Sequence, residues 1–332
     1  MMINRLKKLK YYSKYAIFIA LLMLSFNCSN SDENGGNEPS ETRLYAIDGF
    51  GSDLKIVEVN PLNNDLVSIF LDFEPRQARV DFDFAYLNTT NQLLIRENVF
   101  ERGIGPQLIK VDIDTKEKTT ISSENFSTII AGNGKLFGFK RIVENTLLTS
   151  INLVEINPED ASTISTIEVF EALEDAPNSN RVGISSILFS FDTNELLIPR
   201  RISFLSNAID QLIKIDANTG LKRIVSINNY ESMTVGRNGR LFAVKRVIDQ
   251  NLGEITFNGI VEVDIDNGNE IGVIKEFDNN SLFPFSEISF LSETNEILLD
   301  VGTLYKINID NKTESILNNE NEFYSFRSVN IY

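Results

Sequence analysis

Gln211–Ile227, QLIKIDANTGLKRIVSI, most constrains what this chain can fold into, because near-copies of it recur along the sequence and make six in all. The segment reads as strand, tight turn, strand. Leu212, Ile213 and Ile215 enter, Asp216-Ala-Asn-Thr-Gly220 reverses the chain, and Ile224, Val225 and Ile227 leave. Asn and Gly suit such a turn because it needs residues that tolerate positive φ. The other copies begin at Ile56 (IVEVNPLNNDLVSI), Leu108 (LIKVDIDTKEKTTI), Leu153 (LVEINPEDASTISTI), Ile260 (IVEVDIDNGNEIGVI) and Leu304 (LYKINIDNKTESIL). With Leu212, successive copies start 52, 45, 59, 48 and 44 residues apart.

A period of that size means an array of supersecondary units, and units made of hairpins point to the blades of a propeller. Two further strands precede each full hairpin: FDFAYL (82–87) and LLIRE (93–97), STIIAG (127–132) and LFGFKR (136–141), ISSILFS (184–190) and LLIPR (196–200), SMTVG (232–236) and LFAVKR (241–246), SEISFLS (286–292) and ILLDV (297–301). The first unit has only three strands, LYAID, LKIVEVN and LVSIFLDF, and the last ten residues, FYSFRSVNIY, are left over. Joining the two ends in one blade supplies the missing strand and removes an exposed sheet edge. The expectation is an all-β, six-bladed β-propeller of four-stranded blades over residues 43–332, closed by pairing of its N- and C-terminal strands. A helical turn near Val169 to Asp175 is the one departure expected. Ile215-Asp216-Ala-Asn-Thr219-Gly220 resembles the I-D-x-x-T-G hairpin of bacterial propellers of the TolB-like class. That resemblance implies the fold and leaves the activity open, since propellers host many unrelated functions.

Composition narrows the function. The chain has 47 acidic and 31 basic residues, a net charge of −16. Its first 27 residues carry five of the basic residues and none of the acidic ones, so the remainder sits near −21. A surface of that sign argues against nucleic acid or anionic lipid as a general partner and suits a soluble, self-repelling monomer. A single Cys excludes an internal disulfide or a Cys-rich metal site. The absence of His removes the usual general base and zinc ligand. Asp112-x-Asp114 and Asp264-x-Asp266 begin like calcium loops, but the later ligands and the glycine are missing, so they read as turns. No phosphate-binding or dinucleotide fingerprint is present, and no cofactor is expected.

The N-terminus reads as an address. Arg5, Lys7, Lys8, Lys10 and Lys14 precede an apolar run, Ala16 to Leu24, that is short for a membrane span and fits a signal peptide. Leu24-Ser-Phe-Asn-Cys28 resembles a lipoprotein processing site, which implies a signal peptide over 1–27, lipidation of Cys28 and an outer-membrane anchor. Residues 28–42 follow as a flexible polar tether. Asp32 and Glu33 resemble the surface-export signal of Bacteroidetes lipoproteins, which implies the cell surface rather than the periplasmic face.

Long second-to-third connections are expected at Arg96 to Gln107, Ile142 to Asn152, Arg201 to Gln211 and Val247 to Gly259, all on one face of the ring, where binding usually resides. They begin with cations: Arg96, Lys140-Arg141, Arg200-Arg201 and Lys245-Arg246, with Arg102 nearby. Arg recognises carboxylate, sulfate or phosphate through its planar fork. Arg96, Arg102, Arg141, Arg200, Arg201 and Arg246 are therefore the candidate ligand-binding residues, for an acidic glycan or an envelope protein partner. The bland alternative is pairing with Asp81, Asp83, Glu231 and Glu287. Phe100, Phe204, Leu205 and Phe257 are either stacking platforms or loop anchors. The reading is a binding or scaffold propeller and leans away from an enzyme. The alternative is a metal-dependent lactonase-like hydrolase or a polysaccharide lyase, with Asp83, Glu231 and Glu287 as weak metal candidates.

Overall fold

The computed structural model describes residues 42–48, 55–60, 66–72, 80–99, 106–122, 124, 126–144, 147–171, 182–184, 186–204, 207–249, 252, 254–278, 287–292, 294–300, 304–317 and 323–330. The chain divides into Met1–Ser40 and Glu41–Tyr332. The signal peptide, Cys28 and all of the expected tether but its last residue, Thr42, lie outside the described residues.

The second unit consists of six antiparallel sheets. Blade 1 has β1 (Thr42–Asp48), β2 (Lys55–Val59) and β3 (Leu66–Asp72), and its innermost strand is the last of the chain, β25 (Phe323–Asn330). Blade 2 has β4 (Val80–Leu87), β5 (Gln92–Val99), β6 (Gln107–Asp112) and β7 (Lys118–Ser122). Blade 3 has β8 (Phe126–Gly132), β9 (Lys135–Glu144), β10 (Leu147–Ile156) and β11 (Thr163–Glu171). In blade 4 the expected single inner strand is broken into β12 (Val182–Ile184) and β13 (Leu188–Ser190). Both pair with β14 (Glu195–Phe204), which is followed by β15 (Asn207–Asp216) and β16 (Lys222–Ser226). That sheet therefore has five members where the other five have four. Blade 5 has β17 (Ser232–Val235), β18 (Leu241–Ile248), β19 (Ile255–Val263) and β20 (Glu270–Glu276). Blade 6 has β21 (Glu287–Leu291), β22 (Glu296–Asp300), β23 (Leu304–Asn308) and β24 (Glu314–Leu317). The helical turn expected from Val169 is strand through Glu171, and a 3₁₀ turn stands instead at Arg237–Gly239.

The turns follow their sequence chemistry. Each first-to-second turn of blades 2–6 places an asparagine in the left-handed region: Asn91, Asn133, Asn194, Asn238 and Asn295. Asn tolerates that conformation because its short amide can bond locally. The third-to-fourth turns do the same at Lys116, Ala161, Gly220, Gly268 and Lys312. At Gly268 (φ +77°) a Cβ would also lie 1.9 Å from the Ser226 carbonyl oxygen, so only glycine fits.

The ring closes. β25 pairs with β1 over Thr42↔Asn330 to Asp48↔Phe323, and inner strands meet in the order β25, β4, β8, β13, β17, β21 and β25 again. Six apolar clusters fill the six junctions. Phe137, Phe139 and Phe170 of blade 3 meet Phe189, Leu196 and Ile198 of blade 4. Val57 and Val59 of blade 1 meet Leu291 and Leu298 of blade 6. Each such side chain, fully buried, contributes about 1.5–3 kcal/mol relative to exposure. The two faces of each sheet thus pack on the preceding and following blades, so alternation along a strand selects the neighbour that a residue meets.

Candidate functional site

Three of the four expected long loops are largely strand, which corrects the loop inventory, and the recurrent cations lie within those longer strands. β9 and β10 are separated only by residues 145–146, β14 and β15 only by 205–206, and β18 and β19 by 249–254. Val143 opposite Leu148, Ile202 opposite Ile209 and Val247 opposite Phe257 extend the ladders into two-stranded ribbons, as cross-strand β-branched and aromatic pairs do. Of the four connections, 100–106 in blade 2 keeps a loop's length. It contains Arg102 and Phe100, which lie outside the described residues.

Register gives each cation its neighbour. Lys140, Arg200 and Lys245 are equivalent, one step after the residue paired with the start of each repeat hairpin, and Arg141, Arg201 and Arg246 follow them. The first set faces the preceding blade and the second the following one. Arg200 lies on the face of Ile198, and Arg141 is opposite Ile151; both apolar residues belong to the blade 3/4 core.

Four of these six cations have a carboxylate within 4 Å. Lys140 Nζ is 2.5 Å from Glu124, and Lys245 Nζ is 2.6 Å from Glu270. Glu270 also accepts bonds from Asn228 Nδ2 (2.9 Å) and the Tyr230 hydroxyl (3.3 Å). Burial, aided by the Glu270 charge, pushes that hydroxyl up to about 12. Arg201 donates to Asn229 Oδ1 at 2.9 Å and lies 3.8 Å from Asp210. Arg246 lies 3.9 Å from Glu231, whose carboxyl is pushed up by burial while the guanidinium opposes the shift. Among the described residues, Arg141 and Arg200 have no carboxylate at that range. Arg200 sits 5.7 Å from the Phe170 ring centre, and burial lowers its pKa against the pull of Glu168. Glu168 is itself engaged by Lys222 at 2.7 Å.

The Nε atoms of Arg141, Arg200 and Arg246 are closed to solvent and meet no acceptor among the described residues. Asn258, directly opposite Arg246 and fully buried, has both amide atoms in the same condition. Unpaired buried polar groups are uncommon in folded proteins and each calls for an explanation.

Arg96 is placed differently, 5% exposed within blade 2 and opposite Asp83 in the register. Asp83 braces two blades: Oδ2 accepts from Ile129 N at 3.0 Å and from Thr128 Oγ1, and Oδ1 accepts from Phe84 N at 3.0 Å. Glu231 precedes the inner strand of blade 5, and the Glu287 side chain lies outside the described residues. No group of three or more acidic, Cys or His residues gathers among the described residues. The Asp-x-Asp pairs are turn caps, as read: Asp112 Oδ1 accepts from Asp114 N, Thr115 N and Thr115 Oγ1. Phe257 is partly buried against the blade 4/5 core, with Lys245 5.5 Å from its ring centre.

Glu270, Glu168, Phe170 and Asn258 escaped the sequence reading. Phe170 falls in the segment expected as a helical turn, and the others acquire partners or lack them only through cross-strand and cross-blade placement.

No protein-family model and no curated protein matches this chain. Solved structures do match its fold. TolB from Acinetobacter baumannii aligns at a TM-score of 0.56 and 12% identity, over 87% of this chain and 67% of that one. A candidate 6-phosphogluconolactonase of Bacteroides fragilis aligns at 0.52 and 10%, over 89% and 100%. An oligogalacturonate lyase in complex with manganese aligns at 0.50 and 11%, over 82% and 76%. At such identities the likeness shows the β-propeller fold alone.

Proposed function

We propose that this chain is a monomeric envelope lipoprotein, anchored in the outer membrane through Cys28 and displayed at the cell surface, whose propeller binds an acidic glycan through guanidiniums at the roots of its ribbons. One observation carries the binding role: in a chain of net charge −16, Arg141, Arg200 and Arg246 hold desolvated Nε groups without an acceptor. A guanidinium already stripped of water gives up less on meeting an oxyanion than a hydrated one does. The shared fold with TolB, a candidate lactonase and a lyase transfers no activity.

The test is a screen of the full chain in detergent against uronate-rich, sulfated and neutral glycans at low and high salt, beside R141A/R200A/R246A. Salt-sensitive binding to acidic glycans, weakened at least tenfold in the variant, is expected. Binding to none of them, with capture of an acidic envelope protein instead, would replace the glycan by a protein partner. Incorporation of radiolabelled palmitate, lost in Cys28→Ala, checks the anchor. A hydrolytic reading rests on the raised carboxyl of Glu231 beside Arg246, and lactone turnover abolished in Glu231→Gln would favour it.

A further inference from the structure

Comparison of the blades isolates one place on the ribbon side. Lys140, Arg201, Lys245 and Arg246 each have a carboxylate within 4 Å, and among the described residues the exceptions are Arg141 and Arg200. These two come from different blades and belong to the same junction. Arg141 extends the face of blade 3 that holds Phe139 and Ile151. Arg200 extends the opposing face of blade 4 that holds Ile198, and its register partner Ile184 packs on the same core. Phe170 ties the arrangement together, with its ring edge-on to Phe139 at 6.1 Å and 5.7 Å from the Arg200 guanidinium.

We infer that the blade 3/4 junction carries an oxyanion subsite, formed by Arg141 and Arg200, whose preferred ligand group is a carboxylate. This deepens the acidic-ligand reading above and rests on it for the ligand's size, not for the subsite. Both Nε atoms are shut off from water and lack an acceptor, while each residue as a whole is only partly buried, so the guanidinium ends remain reachable. The Phe170 ring lies 5.7 Å from the Arg200 guanidinium carbon and adds an apolar wall on that side. The edge of a guanidinium is a planar fork that matches the two coplanar oxygens of a carboxylate. Local charge favours an anion as well: Lys222 engages Glu168, the carboxylate whose field reaches Arg200.

The experiment uses the full chain in detergent, labelled with [15N]arginine, and follows the Nε–H resonances during titration with acetate, sulfate and phosphate. Saturable shifts of the Arg141 and Arg200 signals, assigned from Arg141→Lys and Arg200→Lys, are expected, with acetate effective at lower concentration and the Arg246 signal moving less. Either substitution should weaken acetate binding at least fivefold and abolish the shift at the other arginine, while the unfolding midpoint reports that the fold survives. Shifts of equal size at all arginines, or none up to high millimolar acetate, would overturn the subsite. Sulfate or phosphate saturating before acetate would overturn the carboxylate preference. Glycan binding with unmoved Arg141 and Arg200 signals would sink the subsite and leave a glycan reading that rests on Arg246 alone; anion-induced shifts without glycan binding would keep the subsite and overturn the glycan reading.

Discussion

One threonine hydroxyl organises the turn of blade 4. Asp216 Oδ1 accepts from Thr219 N (2.7 Å), Thr219 Oγ1 (2.8 Å) and Asn218 N (3.1 Å), and these donors hold the carboxyl below its ordinary value of 3.8. The unfolded chain then takes up this proton first on acidification, so stability falls with pH. Its contribution is complete above the unfolded pKa and is lost as pH falls through the folded one. Thr219→Val removes one of the two largest causes and should lower the urea midpoint at pH 6. That deficit should shrink as pH drops from 5 to 2, and a constant deficit would show that the hydroxyl acts by packing alone. Asp112 and Thr115 repeat the arrangement in blade 2. This motif was readable because it is local: every partner lies within three residues. Glu231 beside Arg246 was among the partners read from the sequence, but Glu124 at Lys140, Glu270 at Lys245 and Phe170 at Arg200 were not, because they reach these cations only across strands or blades.

At the scale of elements, β15 carries a lysine into the space between blades. Lys214 is 2% exposed, with Nζ 3.0 Å from Asp266 of the next blade's turn and 3.2 Å from Glu195. Asp266 also accepts from Arg223 Nη2 at 2.7 Å, and its carboxyl is held down chiefly by the Lys214 bond. Lys214→Met keeps the apolar stem and loses only the charge; it should stay within about 1 kcal/mol of the parent, since Asp266 is largely exposed and retains Arg223. Lys214→Ala also leaves a cavity and should cost about 2 kcal/mol, measurable by chemical denaturation. Equal losses in the two variants would assign the effect to the ion pair. The hairpins themselves were legible because Asp, Asn, Thr and Gly mark their turns and β-branched residues flank them. The ribbons were not. Polar residues such as Glu144 and Thr146 sit among Ile142, Val143 and Leu147, and a ladder with exposed side chains has no burial pattern to announce it. The break between β12 and β13 was equally hidden, since ISSILFS reads as one strand.

For the whole molecule, closure by β25 is the feature on which the ring depends. Deleting residues 318–332 bares one edge of β1 and uncovers the flanks of β21 and β4, which β25 meets. The thermal midpoint should drop by about 10 °C or more, with concentration-dependent aggregation through the bared edge. A circular permutant opened between β7 and β8, with the original ends joined, should melt near the parent. Similar melting of parent and truncation would show that the remaining strands hold the ring without β25.

The same pairing sets an order of events during synthesis. β1 leaves the ribosome near the start of the domain, and its inner neighbour β25 follows only about 280 residues later. At roughly 5–20 residues per second the interval is on the order of tens of seconds. Throughout it the nascent chain carries an unmatched strand at its front, so a cell making this protein must keep that front from finding a wrong mate until β25 emerges.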